Sequence, residues 1–233
     1  MNIIITGASK GIGKALALKF AENGHHLAIC ARSLEPLEEL EKELLNISPD
    51  SQVISMTADV SVKSEVKKFA DKILESWNKI DIIINNAGFF IPGAIKDEDD
   101  ENLPKMINTN LYSAYYLTKF LLPSMIESKS GHIFNICSIA SFTAYPQGGS
   151  YAISKFAMLG FSKCLREELK PHNIKVTAVM PGATLTDSWK GVELPEERFI
   201  PAEDIASIIY NTTLLSDRTV VEDIVIRPQL GDL

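Results

Sequence analysis

The chain has 233 residues, 45% hydrophobic and 23% charged, with a formal net charge of −7. That length suits one α/β domain over residues 1–233 and is short for two, and the acidic balance without a basic stripe argues against a nucleic-acid partner. No apolar run has membrane length, no basic leader precedes an apolar stretch, and Cys30, Cys137 and Cys164 lack metal-ligand spacing, so a cytoplasmic, metal-free protein is expected.

In chain order, Ile3–Thr6 reads as a short buried strand, followed by "TGASKGIG" (Thr6 to Gly13) and a helix over Gly11–Asn23. Next come a strand at Leu27–Cys30, a helix at Leu34–Asn46, a strand at Val53–Thr57 and a helix at Lys63–Asn78. The strand Ile82–Asn85 ends in "NNAG", and a long helical pattern covers Glu101–Ser128. A strand at His132–Cys137 leads to Ser138, and a helix at Tyr151–Lys170 precedes the strand Val176–Met180. A helix at Ala202–Leu214 and a strand at Ile224–Ile226 complete the series.

These strands are continuously apolar rather than alternating, as expected when both faces of a sheet are covered. Strand–helix repetition then predicts a doubly wound, mostly parallel seven-stranded sheet of Rossmann type, with helices on both faces. Ligands of such sheets lie beyond the carboxyl ends of the strands, where the strand order reverses. The long helix carries a second apolar stripe at Tyr112, Tyr116 and Phe120, either extra core or a subunit interface; the interface, giving a homodimer or homotetramer, is favoured.

Gly7, Gly11 and Gly13 allow backbone amides to approach a ligand, and the following helix N-terminus favours an anion. Tyr151 and Lys155, four residues apart, share one helix face. A lysine ammonium one turn away stabilises phenolate, which suits the pair to proton transfer on a carbonyl or alcohol. Ser138, directly after an apolar strand, is placed to hydrogen-bond a substrate oxygen or simply to cap a turn. Asn110 stands inside a helix, where asparagine is a middling helix former.

Together these segments resemble the short-chain dehydrogenase/reductase family from Ile3 to about Ile226. "TGASKGIG" is similar to its cofactor glycine motif, "NNAG" to its strand-stabilising motif and "PGATLT" (Pro181 to Thr186) to its proline–glycine segment. The resemblance implies catalytic roles for Asn110, Ser138, Tyr151 and Lys155. By that resemblance Tyr151 would protonate the carbonyl oxygen, Ser138 would hold it, Lys155 would lower the phenol pKa and bind the nicotinamide ribose, and Asn110 would anchor a relay water. It also implies cofactor contacts from Gly7, Ser9, Lys10, Gly11, Ile12 and Gly13, from Ala31, Arg32 and Ser33, and from Asp59 and Val60 near the adenine. Asn86, Ala87, Gly88, Tyr151, Lys155, Pro181, Gly182, Thr184 and Thr186 complete that set. Ala31 stands where NAD-selective relatives usually carry an acid; with Lys10 and Arg32 converging, the cofactor is expected to be NADP(H).

The chain ends "VVEDIVIRPQLGDL" instead of the usual valine–aspartate–glycine–glycine segment, and the stretch after Pro181 is short. Both features are similar to bacterial sepiapterin-reductase-like members. Phe89, Phe90, Phe142, Tyr145 and Trp189 are the expected substrate lining, and Asp232 is a candidate partner for an amino-pyrimidine edge. The expected activity is NADPH-dependent reduction of a small ketone, such as a pterin side chain or a diketone. Reduction of a 3-oxoacyl thioester and a non-catalytic NADP(H)-binding sensor are the alternatives; four intact catalytic positions argue against the sensor.

Overall fold

In the computed structural model, which describes residues 1–186 and 194–233, seven strands form one sheet in the order β3-β2-β1-β4-β5-β6-β7, and every pairing is parallel. The strands are β1 (Asn2–Thr6), β2 (His26–Ala31), β3 (Val53–Thr57), β4 (Ile82–Asn85), β5 (Gly131–Ile136), β6 (Ile174–Pro181) and β7 (Asp223–Ile226). The expected sheet is present, and wholly parallel. Strand order reverses between β1 and β4, and the segments that carry the glycine turn and "NNAG" leave the sheet side by side there.

Burial on both faces explains the unbroken apolar strands. Ile3 and Ile5 join one core cluster and Ile4 the other, all at 0% exposure. The first cluster takes in Leu16 and Phe20 of α1 (Gly11–Ala21), Leu37, Leu40 and Leu44 of α2 (Leu34–Ile47), and Ile205 and Ile209 of α7 (Ala202–Thr213). The second packs Phe69 of α3 (Lys63–Ser76), Leu121 of α5 (Ser113–Ser128) and Leu165 of α6 (Gly149–Leu169) on the opposite face. Each fully buried isoleucine or leucine stabilises the fold by about 1.5–3 kcal/mol relative to exposure.

The long helical pattern at Glu101–Ser128 resolves into three pieces: α4 (Asn102–Ile107), a π-helical turn at Asn108–Tyr112, and α5. The wider turn lies where Asn110 bonds to the main chain of Phe89 and where Ser113 Oγ donates to the Thr109 carbonyl at 2.5 Å. Apolar periodicity alone does not register such an insertion. The aromatic stripe is partly covered within the chain: Lys63 lies over the Tyr116 ring at 4.6 Å and Lys67 over Phe120 at 5.7 Å, while Tyr112 stays exposed. Among the described residues, no helix is long and apolar enough to cross a membrane, and no side-chain cluster could hold a metal.

Candidate active site

The turn after β1 works because side chains are missing from it. Gly7 and Gly11 have φ of +64° and +54°, and a Cβ on Gly13 would stand 2.2 Å from the Gly7 carbonyl. Thr6 and Asn86 fasten this turn to the segment after β4: Thr6 Oγ1 accepts from the Asn86 and Ala87 amides, and Asn86 Nδ2 donates to the carbonyls of Thr6 and Gly7. The first turn of α1 has no side-chain cap, so its amides are available to an anion. A Cβ on Gly11 would meet Thr186 Cγ2 at 3.0 Å, which brings the segment after β6 over the same turn.

Lys10 and Arg32 are both exposed, in the segments that follow the adjacent strands β1 and β2, and Ala31 at the end of β2 is buried. Asp59 accepts from the Ser61 amide and hydroxyl at 2.9 and 2.7 Å, fixing the turn that leads into Val60. A glycine turn that leads into a helix N-terminus has the chemistry to hold a phosphate.

The second half of the site lies at the carboxyl end of β5. Ser138 begins a short turn closed by a capping box, its Oγ accepting from Ala140 N at 3.1 Å while Ser141 Oγ accepts from Ser138 N at 3.2 Å. Tyr151 and Lys155 project from the start of α6, with Lys155 Nζ 5.8 Å from the centre of the Tyr151 ring. That ammonium donates to the Ile136 carbonyl at 2.8 Å.

Burial raises the Tyr151 phenol above its ordinary pKa, and a hydrogen bond with Ser138 partly offsets this. Burial also holds Lys155 below the usual lysine value. Desolvation is the largest influence on both groups, and the phenol stands above its ordinary value rather than below it as expected from the lysine. Asn110 Nδ2 donates to the Phe89 carbonyl and to Ser154 Oγ, at 3.0 and 2.9 Å, and its Oδ1 accepts from Phe89 N. A Cβ on Gly88 would lie 3.2 Å from Asn110 Oδ1 and 3.5 Å from Lys155 Nζ, so the main chain passes tightly between them.

The expected substrate lining divides. Phe90 stands edge-on to Tyr151 with ring centres 4.9 Å apart, whereas the main chain of Phe89 is held by Asn110. Tyr145, its phenol pushed up to about 12 by burial and by Tyr151, lines an apolar cavity of about 380 Å³ with Ile95, Ile153 and Phe156. Phe142 carries the Arg227 guanidinium over its ring at 5.8 Å. Trp189 lies outside the described residues.

The C-terminal segment folds back: Arg227 pairs with Asp232, whose Oδ1 would lie 3.4 Å from a Cβ on Gly182. Thr184 Oγ1 donates to the Gly182 carbonyl at 3.0 Å, and Pro181 ends β6 opposite Ile226. Sequence reasoning did not single out Thr6, Ser141, Ser154 or Arg227. Ser141 was detectable by its three-residue spacing from Ser138; Arg227 had no local signal.

A model of the family described as short chain dehydrogenase matches residues 1–197. A sepiapterin reductase from Chlorobaculum tepidum is 35% identical over 240 residues, covering 99% of this chain and 97% of that protein. The structure of an alcohol dehydrogenase from the archaeon Thermococcus sibiricus, complexed with 5-hydroxy-NADP, superposes with a TM-score of 0.91 at 28% identity, over 100% of this chain and 98% of the other. A metagenomic short-chain oxidoreductase in complex with NADP gives a TM-score of 0.85 at 28% identity, over 99% and 98% of the two chains.

Proposed function

The chain belongs to the short-chain dehydrogenase family, and from that membership we propose how its site works and on what. The protein is an NADP-dependent oxidoreductase acting on CH–OH and C=O groups. The observation that carries the residue assignments is the meeting of Ser138, Tyr151 and Lys155 at the carboxyl end of β5, across from the glycine turn.

NADP(H) supplies the hydride chemistry when bound. The glycine cradle and the first turn of α1 would hold its phosphates, and Lys10 and Arg32 would favour the 2′-phosphate over a free hydroxyl. Ser138 holds the substrate oxygen and Tyr151 delivers the proton to it. A phenol kept neutral by burial is in the protonation state a donor requires. Lys155, tied to the Ile136 carbonyl and 5.8 Å from the Tyr151 ring, would bind the nicotinamide ribose. Asn110 keeps the segment carrying Phe89 and Phe90 in place.

The substrate class we assign is a small ketone with a flat body, a side-chain-oxidised pterin or a diketone. Its support is the full-length similarity to a sepiapterin reductase and the exposed ring of Phe90 against Tyr151. We assign the whole chain to one working domain, cytoplasmic, assembled as a homo-oligomer through residues 101–128; exposed Tyr112 and Tyr115 on that element support the contact. The deciding experiment follows NADPH oxidation across pterins, diketones, aldehydes and 3-oxoacyl thioesters. Highest kcat/KM on a pterin or diketone is expected, and a clear preference for thioesters overturns the assignment.

A further inference from the structure

The segment between β4 and α4 is joined to the start of α6 at several points. Gly93 N donates to the Gln147 carbonyl at 2.9 Å, and Gly93 bridges Gly148 as a parallel pair. Gln147 adopts a left-handed backbone, φ +63°, a conformation that residues with a Cβ rarely take. Five residues beyond Gly93, Glu98 reaches the same place, and its Oε1 accepts from Ser150 Oγ at 2.5 Å. Ser150 is 1% exposed and immediately precedes Tyr151 in the first turn of α6. Glu98 Oε2 is buried and has no hydrogen-bond partner among the described residues.

The fit is close. A Cβ on Gly149 would meet the Gly93 carbonyl at 3.0 Å and Glu98 Oε1 at 3.3 Å; one on Gly93 would meet Glu98 Cβ at 3.0 Å. The same segment carries Phe90, which touches Tyr151, and Phe89, which Asn110 holds. A carboxylate with one oxygen desolvated and unpaired is costly to keep. Here it connects the loop beside the phenol to the turn that bears it.

We propose that Glu98 is a positioning residue: through Ser150 it fixes the first turn of α6, and with it the Tyr151 phenol, against the segment that lines the substrate side. This rests on the assignment of Tyr151 as the proton donor. Displacement by about an ångström at a reacting group can cost about 10²-fold in rate, so a clamp remote from the phosphate cradle acts on turnover rather than on cofactor affinity.

The test measures steady-state kinetics and NADPH fluorescence titration for Glu98→Ala, Glu98→Gln and Ser150→Ala, on the best ketone found. Glu98→Ala and Ser150→Ala should each lower kcat by roughly 10- to 100-fold with NADPH affinity unchanged. Glu98→Gln keeps the shape and an acceptor for Ser150, and should recover most of that loss. In a Tyr151→Phe background, Glu98→Ala should add no further loss. Parental kcat in Ser150→Ala or in Glu98→Ala overturns the proposal, as does no recovery in Glu98→Gln or a full additional loss in the Tyr151→Phe background. A deficient Tyr151→Phe beside a parental Glu98→Ala rejects the clamp alone; a fully active Tyr151→Phe rejects the donor assignment and the clamp with it.

Discussion

β1 and β2 place Ile3, Ile4, Ile5, Leu27, Ala28 and Ile29 in the core at 0% exposure, and α1 and α2 meet Ile3, Ile5, Leu27 and Ile29 with leucine and phenylalanine. β4, β5 and β6 are threaded with polar side chains instead. Asn85 Nδ2 donates to Thr118 Oγ1 and to Asn135 Oδ1, and Asn135 Nδ2 donates to Ser162 Oγ at 2.8 Å. At the opposite end of α6, Arg166 Nε donates to the Val176 carbonyl and its guanidinium pairs with Glu222 and Asp223, fastening β7. One face of α6 thus carries Tyr151, Lys155, Ser162 and Arg166, all directed at the sheet.

The difference follows from what each half must hold. Phosphates are gripped by main-chain amides, so the nucleotide half needs only a rigid apolar strand that stops at a glycine turn. Proton transfer needs side chains on α6 held in one register against β5. Apolar contacts tolerate sliding, whereas buried hydrogen bonds penalise each misplacement by leaving a polar group unpaired.

The two halves should separate under mutation. Tyr151→Phe should reduce turnover by roughly 10²–10⁴-fold while NADPH still binds, because the proposed role of the hydroxyl is proton delivery. Steady-state kinetics with fluorescence titration measures both. Coincident loss of cofactor affinity would break the division.

Stability probes come next. Asn135→Leu removes a residue at 0% exposure that bonds Asn85 and Ser162, and should cost about 2–4 kcal/mol in urea unfolding. Ile5→Val, its apolar counterpart in β1, should cost about 0.5–1.5 kcal/mol. Equal losses would remove the contrast between hydrogen-bonded and apolar packing.

A pH probe sharpens the same point. His132, 6% exposed, stacks on Phe134 and contacts Thr177 Oγ1 at 2.7 Å, and burial with the Lys175 charge pushes its pKa down to about 3. Thr177 Oγ1 itself donates to the Val221 carbonyl, so Nε2 carries the hydrogen shared with the threonine. The unfolded chain takes up this proton near pH ~6.5 and the folded one only near pH 3, so stability falls as pH drops through that window. Between pH 7 and pH 5 the loss from this group should be about 2 kcal/mol. His132→Gln should flatten the acid limb of the urea midpoint measured against pH; an unchanged limb would assign the acid sensitivity elsewhere.

The smallest effect expected is on cofactor choice. Ala31→Asp with Arg32→Ser should move preference toward NADH by about tenfold, which is about 1.4 kcal/mol, without altering kcat on the better cofactor. A parent protein that already uses NADH as well as NADPH would remove Lys10 and Arg32 from phosphate recognition.

What the sequence determined by itself is local. The helical period puts Tyr151 and Lys155 on one face whatever surrounds them. Glycines at 7, 11 and 13 permit a turn that only glycine tolerates, and unbroken apolar strands between amphipathic helices require a sheet covered on both sides. Pairings between distant segments were decided in three dimensions. Nothing near Glu98 in the chain announces Ser150, 52 residues on, and no periodicity shows the π turn that Asn110 makes to meet Phe89. The stripe at Tyr112, Tyr116 and Phe120 reads as core or interface, with the interface favoured, until α3 is seen laying Lys63 and Lys67 across part of it. The phenol likewise stands above its ordinary value because desolvation outweighs the hydrogen bond with Ser138, and desolvation belongs to the packed molecule.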